Sequence, residues 1–428
     1  MAELRAGAAR VDVTPPLGVP YLGYEPRHAY FRGVHDPLYA RAAVLDDGRT
    51  RIAIVSVDSI GFDEGILGDG RNFVAEVRRR ASEGSGVPEG NVTVAATHAH
   101  STPETLGFRP LPPRASAWAD VLADQMASAV RMAVEDLKPA TLRVGKGKLV
   151  GVAKNRRTPG GPTDPEVGVV LVERDGGGPI ILFKFACHPV TVQVQPLVSA
   201  DFPGEACRIL ERETGGRALF LQGACGDQNP VRGTTGFEDV VRYGRALGGE
   251  VLKGVGMLSL APPEESPVLS VRSEKLYLPR RPLPEREPFR RKFEEVGDRL
   301  GSVRDEGERR RLLRERRLAE EVLVLIDRTP DPVPAEVQLV RMGDLALVCF
   351  PGEPFVEVGM EVGRRSPARS TFVVGYANGY VGYLATDKAW DEGGYEVGLG
   401  PWCRVGPDGT RTLVEAAVRL LWKIWEEG

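Results

Sequence analysis

A chain of 428 residues, 42% hydrophobic and 27% charged, has the makeup of an ordinary globular protein long enough to bury a full core. A formal net charge of -3 argues against nucleic acid as a main partner. No apolar run approaches the roughly 18 residues of a membrane span.

The five cysteines (Cys187, Cys207, Cys225, Cys349 and Cys403) are scattered and form no Cys-x-x-Cys pair. Neither a disulfide framework nor a thiolate zinc ribbon is expected. The opening Met1-Ala2-Glu3-Leu4-Arg5 lacks a basic stretch followed by an apolar one, so a cytoplasmic location is expected.

In chain order, residues 38–62 alternate as two strands, with a hairpin signal at Asp46-Asp47-Gly48. A helix is predicted from Asn72 to Ala81, and Val92 to Ala96 reads as a strand ending in Thr97-His98-Ala99-His100-Ser101. The next helix is expected to start at Ser116 as N-cap and to end before Pro139, with an apolar face through Trp118, Leu122, Met126 and Ala133. Strands follow near 141–149, 167–173 and 179–187, the last leading into Cys187-His188-Pro189. A helix is expected to open at Pro203. Ala218 to Leu221 reads as a strand entering Gln222-Gly223-Ala224-Cys225-Gly226-Asp227, and Glu238 to Lys253 as a helix.

Residues 280–328 are dense in Arg and Glu and read as a solvated helical insertion in a single domain spanning 1–428. Strands at 336–342 and 345–350, a helix from about Phe355 and a strand at 371–376 follow. Tyr376 to Gly400 reads as a long, glycine- and aromatic-rich loop, the kind of segment that carries function. A terminal helix covers Thr412 to Glu426. The expected class is α/β, shading into α+β, with a large mixed sheet flanked by helices.

Taken singly, the polar residues at these strand ends have plain structural explanations. His98 and His100 could hydrogen-bond a loop, and His188 could pack in the core. Glu353 could begin a helix, and Tyr380 could be one more buried aromatic. Asp227 could form a turn, and Asp201 could cap a helix. Together they collect where sheets of this kind bind ligands, outside the strand ends. Imidazoles, a carboxylate and a phenol also make a suitable set for zinc. A catalytic zinc with an open position activates water near neutral pH.

Six motifs in order resemble the neutral/alkaline non-lysosomal ceramidase family. They are Ala96-Thr97-His98-Ala99-His100-Ser101, Cys187-His188-Pro189, Ala200-Asp201-Phe202-Pro203-Gly204, Gly226-Asp227-Gln228-Asn229-Pro230, Pro351-Gly352-Glu353 and Ala377-Asn378-Gly379-Tyr380. The resemblance runs from about residue 5 to residue 425 and implies that family's catalytic fold. It implies one catalytic zinc ion held by His98, His188, Glu353 and Tyr380, with His100 beside the metal to move protons. It places Tyr395 and Arg157 at the reacting end of the substrate and His35 near the pocket, and leaves Asp227 or Asp201 to orient a ligand histidine. The position of the family's serine is occupied here by Gly223, which is left as a substrate contact. The family's C-terminal immunoglobulin-like domain is not expected, since the chain stops where it would begin, and ceramide itself is then not the expected substrate.

The expected function is a zinc-dependent hydrolase that cleaves an amide-type C–N bond of a small soluble substrate through a metal-activated water. A zinc esterase or lactonase and a non-catalytic metal-stabilised binding protein are the alternatives. Neither a phosphate-binding loop nor a dinucleotide fingerprint opens a helix, which argues against a nucleotide-dependent enzyme. A homo-oligomer is left open.

Overall fold

The computed structural model describes residues 3–23, 29–68, 70–109, 111–192, 196–264 and 266–427. An eight-stranded mixed sheet runs in the order Arg217–Gln222, Ile180–Phe185, Glu166–Arg174, Lys138–Lys148, Arg5–Asp12, Tyr39–Asp46, Arg51–Val57, Val92–Ala96. Only the pair at each end is parallel. A second sheet has the order Leu269–Leu278, Val333–Met342, Leu345–Cys349, Ser370–Val374, with its last pair parallel.

Most of these strands are buried on both faces, and alternation divides their side chains between layers. Along Arg51–Val57, Ile52 and Ile54 face the second sheet, while Ala53, Val55 and Val57 face the helices Phe73–Ser85 and Pro113–Glu135. Along Ile180–Phe185, Ile180 and Leu182 join the inter-sheet core, while Ile181, Phe183 and Phe185 pack toward the helices Asp201–Thr214 and Phe237–Ser259. The second sheet meets the first through Val340, Met342, Leu345 and Leu347, and its outer face carries the helix Pro407–Glu426. The result is helices, sheet, sheet, helix, the mixed α/β architecture expected.

Two strands of these large sheets escape a reading of the sequence. Arg5–Asp12, near the middle of the large sheet, is rich in Ala and Gly, which are both depleted in strands. The small residues serve packing: a Cβ at Gly7 would lie 2.0 Å from the Ala133 carbonyl of the helix crossing it. Leu269–Leu278 is an edge strand with charged, exposed residues among its apolar ones.

Helix starts also differ from expectation. The helix expected at Ser116 begins at Pro113, since a proline fits the first turn; the Ser116 hydroxyl instead donates to the Leu111 carbonyl. The helix expected at Pro203 begins at Asp201. Residues 280–328 contain two helices, Arg286–Leu300 and Glu306–Arg328, packed on each other between adjacent antiparallel strands of the second sheet. The segment 376–400 is not all loop: Tyr383–Leu384 pairs with Glu353–Pro354, and Asp387–Glu392 is helical. Among the described residues no helix is long and apolar enough to cross a membrane.

Candidate metal centre

Five strands end on one region. Val92–Ala96 delivers His98 and His100, Ile180–Phe185 delivers His188, and Arg217–Gln222 delivers Gly223 to Asp227. Leu345–Cys349 delivers Glu353, and Ser370–Val374 delivers Tyr376 and Tyr380. The loop after Ser370–Val374 is stitched to Val92–Ala96 by Asn378, which donates its N–H to the Val94 carbonyl and accepts from the Val94 N–H. That clamp sets the Tyr376 ring on the His98 ring at 3.9 Å. His98, Tyr376 and Asn378 all hold positive φ angles of 55–65°. Non-glycine residues adopt this region only where surrounding contacts compel it, and such residues cluster at functional sites.

Each of these three histidines is oriented by a main-chain carbonyl. Nδ1 of His98 donates to Ile60 at 2.6 Å, Nδ1 of His100 to Gly23 at 3.0 Å, and Nδ1 of His188 to Cys225 at 2.7 Å, with Gln228 at 3.2 Å. A carbonyl only accepts, so each Nδ1 carries the proton and each Nε2 presents a lone pair. These lone pairs converge. His98 Nε2 and His100 Nε2 lie 3.1 Å apart, and Glu353 Oε2 is 3.5 Å from His98 Nε2 and 3.4 Å from His188 Nε2.

His188 Nε2 is fully buried and has no hydrogen-bond partner. Acceptors crowded together in this way are the arrangement that a cation between them would satisfy. Bonds of about 2.0–2.1 Å from zinc to tetrahedral ligands put neighbouring ligands roughly 3.3 Å apart, which matches the spacings of Glu353 Oε2 from His98 and His188 Nε2. The residues present therefore fit a zinc ion, and locked tautomers are what ligand histidines need.

Burial lowers the pKa of His98 well below the ordinary histidine value and that of His100 to about 3. Burial alone would raise the Glu353 carboxyl. His98, His188 and the bond from Tyr380 outweigh it and hold Glu353 below the usual carboxylate range. Tyr380 donates to Glu353 Oε1 at 2.5 Å, and Tyr376 to Oε2 at 3.1 Å. Since the Tyr376 proton goes to Glu353, the Cys225 thiol, 3.2 Å away, donates to the Tyr376 oxygen.

The structure brings His98, His100, His188, Glu353 and Tyr380 together. Tyr380 contacts the Glu353 oxygen remote from the histidines. Other expected residues lie elsewhere. His35 stacks on Phe237 and pairs with Asp36, in a separate cavity of about 330 Å3. Arg157 turns to Glu396 and to the carbonyls of Ala389 and Gly393.

The arginine at the site is Arg156, buried between Glu396 at 2.8 Å and the Tyr383 hydroxyl at 2.9 Å. Tyr395 is half exposed, stacked on Trp402 at 4.5 Å and 6.1 Å from the Tyr383 ring. Asp227 makes no hydrogen bond to His98, His100 or His188. It accepts from Asn155 Nδ2 at 2.7 Å and from the Val356 N–H at 2.9 Å, joining two loops. Asp201 accepts from Thr191 and from the Phe202 N–H. Carbonyls therefore do the orienting expected of these carboxylates. A Cβ on Gly223 would meet Ala186 Cβ and Lys184 Cε, both at 3.0 Å, so no side chain extends from this position without displacing its neighbours.

Tyr376, Tyr383 and Arg156 were not singled out in the sequence. Arg156 could have been found only as a neighbour of Arg157 in the same Asn-Arg-Arg stretch, and Tyr376 as the residue before the Ala377-Asn378-Gly379-Tyr380 motif.

Fold and site together define a mixed α/β protein with a buried histidine–carboxylate centre at its strand ends. Residues 4–235 match the family described as "Neutral/alkaline non-lysosomal ceramidase, N-terminal", and the chain belongs to that family. It is 26% identical to a neutral ceramidase of Mycobacterium tuberculosis over 89% of this chain and 71% of that one. It is 25% identical to one from Drosophila pseudoobscura pseudoobscura, over 54% of this chain and only 36% of the relative's length. The crystal structure of neutral ceramidase from Pseudomonas aeruginosa superposes with a TM-score of 0.75 at 21% identity, covering 100% of this chain and 75% of that one, and shares its fold.

Proposed function

We propose that this chain is a zinc-dependent amidohydrolase that cleaves an amide C–N bond in a small-molecule substrate. The observation that carries the reading is the convergence of three imidazole Nε2 atoms and Glu353 Oε2 in a buried site. Membership of a ceramidase family, named for hydrolysis of the amide of ceramide, supports the choice of bond.

His98, His188 and Glu353 hold the ion; Tyr380, expected as a fourth ligand, instead joins Tyr376 in fixing the Glu353 oxygens. When bound, zinc supplies a Lewis acid and an activated water. His100 is the one ring of the three that is only partly buried, and it stands at the remaining corner. Its Nε2 takes the proton of the attacking water and passes it to the leaving nitrogen. Arg156, raised further above the usual arginine range, faces the developing oxyanion in place of Arg157.

The test is metal analysis together with a panel of amides, esters and lactones. His98→Ala is expected to lose metal and activity together. His100→Ala is expected to keep the metal and lose roughly 10²–10⁴ in rate. Full activity from metal-free His98→Ala protein would sink the reading, and esters or lactones turning over while amides do not would change the bond.

A further inference from the structure

We infer that the substrate carries a negative charge, received in a basic cleft beside the metal centre by Lys154 and Arg232. This rests on the hydrolase reading above. The cleft has a volume of about 980 Å3 and is lined by Lys154, Arg156, Arg157 and Arg232, with the neutral Asn155, Asn229, Thr234 and Thr235 among the remainder; no carboxylate lines it. Arg156 and Arg157 share Glu396, at 2.8 and 2.5 Å. Lys154 and Arg232 have no ion pair among the described residues. On a chain of net charge -3, this is a local positive excess with hydrogen-bonding groups around it.

Two connections join the cleft to the site. Lys154 pairs with Asn229 in a short antiparallel ladder, and the next residue of that ladder, Gln228, supplies a carbonyl that holds His188. Arg156 lines the cleft and reaches the Tyr383 hydroxyl. A substrate whose amide lies at the histidines and whose far end passes Arg156 would meet two cations without an ion pair. Solvent-exposed charges each contribute modestly, so the pair is expected to favour an anion by roughly tenfold at low salt.

The test uses the zinc-loaded full chain and three substrates with one acyl chain: an N-acylglycine, an N-acyl-2-aminoethyl phosphate and the neutral N-acylethanolamine. One or both anionic substrates should exceed the neutral one in kcat/KM by about tenfold at low salt, mostly through KM, and the carboxylate and phosphate arms identify the anion. The Lys154→Ala/Arg232→Ala double variant should bring the ratio near one while leaving kcat on the neutral substrate unchanged. A neutral substrate cleaved as well as both anionic ones, or a double variant that keeps the preference, overturns the inference. If none of the amides is cleaved, the hydrolase reading fails by itself. Charge selection is then read from binding of N-acetylglycine against N-acetylethanolamine by calorimetry: tighter anion binding lost in the double variant supports it, and equal binding overturns it.

Discussion

The Nε2 atoms of His98 and His100 face each other at 3.1 Å, although each ring commits its N–H to a main-chain carbonyl on its other side. Two lone pairs so placed repel until a cation lies between or beside them. Zinc is therefore expected to stabilise the fold, by about 2.7 kcal/mol when present at a hundred times its Kd. A thermal melt of chelated against zinc-loaded protein checks this, and identical midpoints would contradict it.

Metal affinity should also resist acid. An exposed imidazole of ordinary pKa near 6.5 loses about tenfold in affinity at pH 5.5, because the proton competes with the metal. Burial keeps His98 and His100 neutral there, with His100 lowered to about 3, so these two rings should contribute no loss between pH 7 and 5.5. Equilibrium dialysis with zinc at the two pH values measures the slope.

Tyr376→Phe and Tyr380→Phe each remove a donor from a buried carboxylate. Each should weaken metal binding by roughly 10–100-fold, the usual range for groups that orient a ligand. Competition with a fluorescent chelator gives the affinities. Unchanged zinc binding in both variants would mean that these hydroxyls do not hold Glu353 in its working position.

Asp227→Ala should act through position rather than through the metal. It cuts the bonds to Asn155 and to the Val356 N–H, beside the chain that carries Arg156. We expect about 1–3 kcal/mol of destabilisation, a fall in kcat and full zinc stoichiometry. Denaturant melts and metal analysis of the same preparation separate the outcomes.

Gly223→Ser should not add a nucleophile. The new Cβ presses on Ala186 and Lys184 at 3.0 Å, so the variant is expected to lose roughly 1–3 kcal/mol and gain no activity. A rise in kcat would show that the loop yields and that a serine is useful there.

Glu104 provides a pH test of stability. Burial pushes its carboxyl up to about 7, against backbone N–H groups that lower it. A folded pKa above the unfolded value means that the folded state binds the extra proton, so this group's contribution to stability falls as pH rises from about 4.5 to 7. Glu104→Gln removes that dependence. The variant should gain on the parent as pH rises through this window, by on the order of 2–3 kcal/mol at pH 8. Denaturant midpoints at pH 5 and pH 8 provide the comparison.

Much of the centre was legible because strand ends and their motifs are local. The apolar runs before Thr97 and Cys187 predicted strands, and both deliver their histidines to the centre. Arg156 and Arg157 show where such reading stops. They are adjacent in one loop, and which one faces the site depends on Glu396, 239 residues beyond Arg157, and on Tyr383. Arg5–Asp12 was missed for a related reason, since its strand conformation comes from neighbours on both sides rather than from its own Ala and Gly residues.

The sequence by itself determined the mixed α/β class, the strands that end at His98 and His188, and the kinds of side chain available to a metal. Alternation and turn chemistry act over a few residues, and neighbours along the chain suffice to express them. Only the tertiary structure decided the tautomers. The carbonyls of Ile60, Gly23 and Cys225, each 37 to 77 residues from the ring it holds, turn three Nε2 lone pairs toward one point. It also decided that Tyr376 shares Glu353 with Tyr380. A hydrogen bond reports only on atoms that packing has already brought within about 3 Å, and no spacing along the chain contains that information.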